Sequence, residues 1–186
     1  MASSLPKENE ELVARLRQPG TVRTAFNEVM RLYSEPLYWQ IRRIVQNHDD
    51  ADDILQNTFM KAWGNIENFR GEAKLSTWLY KIAINESLGF LERERKRRNM
   101  SLDDQEAEMI HNIAADEEFD GEELARKLQE AIASLPEKQR LVFNMKYFDD
   151  LKYEEMSEIL GTSVGALKAS YHLASKKIEQ YFNGHD

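Results

Sequence analysis

The chain has 186 residues, 41% hydrophobic and 31% charged, with a net charge of −8. That composition suits one domain or two small ones with a buried core and excludes a chain disordered throughout. No run approaches about 18 apolar residues, the N-terminus lacks an apolar signal core, and cysteine is absent, so no transmembrane helix, secretory signal, disulfide or thiolate chemistry is expected and the expected compartment is the cytoplasm. The charge is uneven: residues 1–98 carry +2, residues 99–125 carry −10 with no Lys or Arg, and residues 126–186 are neutral.

Residues 1–20 read as an N-terminal extension. From about Thr21 to Arg98 the apolar spacing is helical, in four groups: Phe26 to Tyr33, Leu37 to Val45, Ile54 to Trp63, and Trp78 to Leu91. Four helices are predicted there, the last ending in the basic run Arg93-Glu94-Arg95-Lys96-Arg97-Arg98. Residues 99–122 scatter a few apolar residues among acids and mark a domain boundary, an acidic linker. Helical spacing resumes with Leu124, Leu128, Ala131, Ile132 and Leu135. Pro136 suits the first turn of the next helix, which carries Leu141 to Phe148. Helices near Tyr153–Leu160 and Val164–Phe182 complete a second module over 123–183. The predicted fold is all-α: two small helical domains joined by an acidic linker.

Three features could carry chemistry. The first is a helix-turn-helix pattern. Gly161 sits where the chain must turn, Thr162 or Ser163 can cap the following helix, and Met156, Ile159, Leu160, Val164 and Leu167 point inward together. No acid falls between Glu158 and Glu179, so the second helix presents Lys168, Ser170, Tyr171, His172, Ser175, Lys176 and Lys177 without a repelling carboxylate, which suits a DNA groove. The second is the helix from Leu75, with aromatics, Lys81 and Asn85 ahead of five cations. Asn reads base edges and aromatics stack on unpaired bases, although Trp78 is expected in the core.

The third is His48-Asp49-Asp50-Ala51-Asp52-Asp53 at a helix start. Its Asp-Asp-x-x-Asp spacing resembles the magnesium motif of helical prenyl-transferring enzymes. Acids at a helix N-terminus are stabilised by the dipole, however, and no second acid-rich helix completes a binuclear site. No metal, cofactor or catalytic residue is expected.

Together these segments resemble the sigma factors of bacterial RNA polymerase. His48 to Trp63, with its acidic start, Asp52-Asp53-Ile54-Leu55-Gln56 and closing Phe59 and Trp63, is similar to the family's polymerase-binding helix. Phe69-Arg70, Ser76-Thr77-Trp78-Leu79-Tyr80-Lys81-Ile82-Ala83 and Asn85 resemble the segment that melts and reads the minus-ten element. Leu135-Pro136-Glu137-Lys138-Gln139-Arg140 with Tyr153 to Lys177 resembles the minus-thirty-five-reading domain.

The order of motifs matches the extracytoplasmic-function (ECF) group over roughly residues 22–182. The resemblance implies region 2 over 21–98 and region 4 over 123–183. It implies a non-enzymatic initiation subunit, controlled by an anti-sigma factor and monomeric when free. Its partners would be promoter DNA and the clamp and flap of core polymerase, with no membrane insertion and with the acidic linker in the polymerase's basic RNA channel.

Residue by residue, the resemblance implies polymerase contacts from Asp50, Asp52, Asp53, Gln56, Asn57, Phe59 and Trp63. It implies minus-ten contacts from Arg70, Lys74, Ser76, Lys81, Asn85, Arg93 and Arg97. It implies minus-thirty-five contacts from Ser163, Gly165, Lys168, Ala169, Tyr171, His172 and Lys176. Departures from the family pattern are Gly89 where Asp is frequent, Glu92 and Glu94 within the basic run, and Ser170, Leu173 and Ser175 at positions often held by Arg. The alternative is a free-standing helix-turn-helix regulator, which would bind paired half-sites as a dimer; no obvious dimer helix is present.

Overall fold

The computed structural model describes residues 9–99 and 123–184, all helix, turn or loop, with no strand among them. The linker segment 100–122, and with it the bulk of the acidic charge, lies outside the described residues. The chain divides into two compact units after Arg97.

The first unit begins earlier than the sequence pattern suggests. Asn9 caps helix α1 (Glu10–Leu16), its side chain accepting from the Glu11 and Leu12 amides at 3.0 and 3.3 Å. Leu12 and Leu16, one turn apart, are buried. Arg15 ties α1 to helix α2 (Val22–Val45) through Glu28 at 2.8 Å. Part of the presumed extension is therefore core; two leucines in seven residues are too short a period to stand out in the sequence.

The two groups Phe26–Tyr33 and Leu37–Val45 form one helix, not two. Pro36 lies inside α2 and removes the hydrogen bond that would reach Leu32, a cost of about 3 kcal/mol. The buried stripe Phe26, Val29, Tyr33, Leu37, Ile41, Ile44 runs through it at uninterrupted three- and four-residue steps. Burying six such side chains, at about 1.5–3 kcal/mol each, outweighs the lost bond. Three helices, not four, thus span 21–98.

Gln46 ends α2 in the left-handed region at φ 62°. Asn47 then caps helix α3 (His48–Gly64) by accepting from the Asp50 amide at 3.0 Å. A 3-10 turn (Ile66–Asn68) and a loop containing Gly71 at φ 74° lead to helix α4 (Leu75–Asn99). The buried residues of α4 are Leu75, Thr77, Leu79, Tyr80, Ala83, Ile84 and Ser87, which confines its inward face to the N-terminal half and frees the basic end.

The second unit holds helices α5 (Glu123–Ala133), α6 (Glu137–Tyr147), α7 (Tyr153–Leu160) and α8 (Val164–Asn183). Pro136 stands one residue ahead of α6, as its cap. Helix α8 packs on all three others. Its Ala174 and Ile178 join Ala131, Ile132, Leu135 and Phe143 in the core.

Two tyrosine rings stack on the phenylalanine of that core. Tyr147 and Tyr171 each stack on Phe143, at centroid distances of 5.2 and 5.6 Å and angles of 15° and 12°. Arg140 is buried and donates to the Ala133 carbonyl at 3.4 Å, joining α5 to α6. Burial pushes its guanidinium below the ordinary value, and Glu137 opposes that shift. The Tyr181 phenol is held above its ordinary value by burial first, then by its hydrogen bond to Glu130 at 3.1 Å.

Candidate nucleic-acid interface

The helix-turn-helix forms as its residues predict. Gly161 takes φ 64° and returns its amide to the Ser157 carbonyl at 2.9 Å, a conformation that costs other L-residues roughly 1–2 kcal/mol. Of the two candidate caps, Ser163 is the one used, accepting from the Ala166 amide at 3.3 Å. Met156, Ile159 and Leu167 are buried, while Leu160 and Val164 are half-buried.

The direction in which α8 faces follows. With Leu167, Ala174 and Ile178 turned inward, Ser163, Gly165, Lys168, Ala169, His172 and Lys176 are exposed. Tyr171 differs from the expectation: it is half-buried, its ring stacked on Phe143. It falls one turn from Leu167 and three residues before Ala174, which rotates it toward the core. Lys168 extends over the Tyr153 ring, 5.7 Å from its centroid, and Lys146 lies 5.6 Å from that same ring.

In the first unit, Ala51, Ile54, Thr58, Phe59 and Ala62 face inward on α3. Asp53, Gln56 and Asn57 are exposed; Asp50 and Asp52 are half-buried. Phe59 departs from its expected surface role. It is buried, edge-on to Phe26 at 6.4 Å and 90°, because it shares the face of Thr58 and Ala62.

Trp63 lies at the border, 43% exposed with its ring 5.1 Å from Phe26. Sequence reasoning missed Met60, which is 71% exposed. Its signal was positional: it stands one turn from both Gln56 and Trp63. The exposed stripe is thus Asp53, Gln56, Asn57, Met60 and Trp63, polar at the start and apolar at the end.

His48 links to Tyr38 through Nδ1 and lies 3.5 Å from Asp52 through Nε2. Among the described residues no three His, Asp or Glu side chains converge on a point that could hold a metal ion.

Arg70 and Lys74 are exposed in the loop before α4, and Ser76 is half-buried. Trp78 is half-buried against Phe69, 5.0 Å between centroids. Lys81 and Asn85 are exposed one turn apart. Lys61 bridges to Glu86, fastening α3 to α4. The basic end carries exposed Arg93 and Arg97, and the two acids within it are paired: Glu92 with Lys96 at 2.9 Å and Glu94 with Arg97 at 2.7 Å.

The acidic start of α3 and the basic end of α4 feel each other. The Asp50 carboxyl is raised above its ordinary value, first by burial and then by Glu94, Asp53 and Asp49, with Arg97 opposing. Asp50, predicted for polymerase, and Arg97, predicted for DNA, lie close enough there to interact.

A helical unit with a polar-to-apolar stripe beside a basic helix, and a second unit with a helix-turn-helix whose second helix carries no acid before Glu179, are the features of a transcription protein. The family models agree: Sigma-70 region 2 matches residues 29–97 and Sigma-70 region 4 matches residues 125–178.

The ECF RNA polymerase sigma factor SigW of Bacillus subtilis is 35% identical over 158 residues, covering 80% of this chain and 83% of SigW. The ECF sigma-E factor of Haemophilus influenzae is 30% identical over 179 residues, 92% and 93% of the two chains. The chain therefore belongs to the ECF sigma factors.

The fold is shared with two solved structures. One is the sigma factor RpoE of Bartonella quintana in complex with the anti-sigma factor NepR (TM-score 0.69, 19% identity, 87% of this chain and 98% of that one). The other is CnrH in complex with the cytosolic domain of CnrY (TM-score 0.69, 18% identity, 96% and 99%).

Proposed function

We propose that this chain recruits core RNA polymerase through α3, holds melted minus-ten DNA along α4 and its preceding loop, and reads the minus-thirty-five duplex with α8. Residues 21–98 serve as region 2, 99–122 as an acidic tether in the polymerase's basic RNA channel, and 123–183 as region 4. The observation that carries this reading is the coincidence on α8 of a Ser163 cap, an exposed Gly165–Ala169–His172–Lys176 stripe and the absence of any acid from 159 to 178.

Small residues let the helix approach the groove floor, and cations replace condensed counterions. On this reading Lys168 and His172, toward the N-terminal part of the helix, meet base edges. Lys176 and Lys177 meet phosphates. On α4, Asn85 and Lys81 face the unpaired strand, where base edges and backbone are both open.

The protein is a binding subunit, not an enzyme, works in the cytoplasm and is monomeric when free. No helix among the described residues is long and apolar enough to cross a membrane. Control by an anti-sigma factor is inferred from one structural neighbour, RpoE, which was solved in complex with the anti-sigma factor NepR. That partner would compete for the surfaces just described.

The test is a pull-down with core polymerase followed by run-off transcription. Asp53→Ala combined with Gln56→Ala should weaken core binding by about 1–3 kcal/mol per lost desolvated contact while the helical fold survives, since both side chains are exposed. Unchanged affinity for core would remove α3 from the interface.

A further inference from the structure

Leu173 is unusual on its helix. It is 49% exposed, one of five large hydrophobic side chains so exposed among the described residues. It lies on the solvent side of α8, one turn beyond exposed Ala169 and one turn before exposed Lys177, with exposed Lys176 three residues on. Ala166, a further turn back, is exposed as well. One edge of the recognition helix is therefore apolar over Ala166, Ala169 and Leu173, and cationic beyond. This leucine leaves about half of its surface in water among small residues and lysines, where it adds little to the core.

We propose that Ala169 and Leu173 form an apolar edge that takes thymine methyl groups in the major groove, making Leu173 a specificity residue of the upstream element. The inference rests on the assignment of α8 to duplex reading. In the major groove, thymine is the base that offers a methyl group, and small or apolar side chains are its partners. A neighbouring guanine would meet no donor from Leu173, so the edge also rejects guanine, by leaving its N7 and O6 acceptors desolvated and unpaired. A second protein is a poorer occupant: the edge is narrow and flanked by lysines, whereas phosphates on either side of a thymine would satisfy that charge.

The experiment uses the full chain reconstituted with core polymerase and a promoter library randomised across the upstream element. The wild type should select thymine at one or two positions. Replacing that thymine by deoxyuridine, which removes only the methyl group, should lower wild-type transcription about fourfold, the worth of one buried methyl-sized group. Leu173→Ala should lose the selection and be indifferent to deoxyuridine. Leu173→Arg should shift the selection toward guanine. Both replacements are at an exposed helical position, and circular dichroism checks that the fold is kept.

The proposal is overturned if Leu173→Ala retains the thymine selection, or if methyl removal affects wild type and Leu173→Ala equally. It is also overturned if Leu173→Ala lowers holoenzyme assembly without changing base selection, which would mark the edge as a protein contact. Lys168→Ala separates the two levels. If Lys168→Ala relaxes upstream selection and Leu173→Ala does not, the methyl contact alone is wrong. If neither variant changes upstream selection, α8 does not read the duplex.

Discussion

Helices α4 and α8 both face DNA on the proposed reading, and they carry their charge in opposite ways. The cations at the end of α4 are interleaved with acids, and Lys96 and Arg97 are held by Glu92 and Glu94. Helix α8 has no acid between its cap and Glu179. Exposed pairs are weak, at most about 1 kcal/mol each, so a phosphate can displace the glutamates of α4 at small cost. The contrast suits the two substrates. A helix whose entering face carries no repelling charge can approach the phosphates of a duplex element directly. A strand that becomes single only after melting can be gripped by cations that are released on contact.

The largest way to break the comparison is to remove the support of α8. Phe143 carries both Tyr147 and Tyr171 stacked on its ring. Phe143→Ala should destabilise the second unit by about 3–5 kcal/mol, seen as loss of one melting transition while the first unit's transition stays. Minus-thirty-five-dependent transcription should fall with it.

A finer test asks whether the two helices read different elements. In a promoter-library transcription assay, Lys168→Ala should relax upstream preference by about 1–3 kcal/mol per lost base contact, and Asn85→Ala should change preference only in the melted element. If each mutant altered the other's element, the assignment of the two units would be reversed.

The charge contrast itself is tested by salt. Lys176→Ala should weaken duplex binding about equally on all sequences and lower the salt slope by roughly one. Glu92→Gln with Glu94→Gln should strengthen single-strand binding by holoenzyme while leaving its salt slope nearly unchanged, because on contact the wild-type cations are already released to the phosphates. A steeper slope in the double variant would mean that those pairs persist in the wild-type complex.

The smallest effect expected is at Asp50. Its carboxyl is raised by burial and by Glu94, Asp53 and Asp49, so the ionised form is disfavoured in the folded state relative to the unfolded chain. Asp50→Asn should therefore stabilise the first unit at neutral pH, by less than about 1 kcal/mol. The gain should close as pH falls through the raised folded-state value, where the wild type also becomes neutral. Thermal melts of both proteins across the acid range check this; a gain that grows toward low pH would contradict the sign.

The second unit was more legible in sequence than the first. Its turn glycine, serine cap and inward stripe are local signals, each acting within one helical turn, and the structure uses all three. Around Pro36 the local signal pointed to a break, yet α2 continues because its buried stripe stays in step across the proline. Helix α1 was hidden for the opposite reason: two leucines seen alone are weak, and they become core only against α2.

By itself the sequence determined the helical class, the two-module division, the helix-turn-helix and the family. These follow from periodicity, from caps and from the order of motifs, which are properties of the chain read a few residues at a time. Tertiary structure alone decided which residues of each motif face outward. It turned Phe59 and Tyr171 toward the core and left Met60 and Leu173 in solvent. The rotation of a helix about its own axis is set by the partner it packs against, and four consecutive helical residues point in four directions. A motif read along the chain therefore names the right helix before it can name the right side of it.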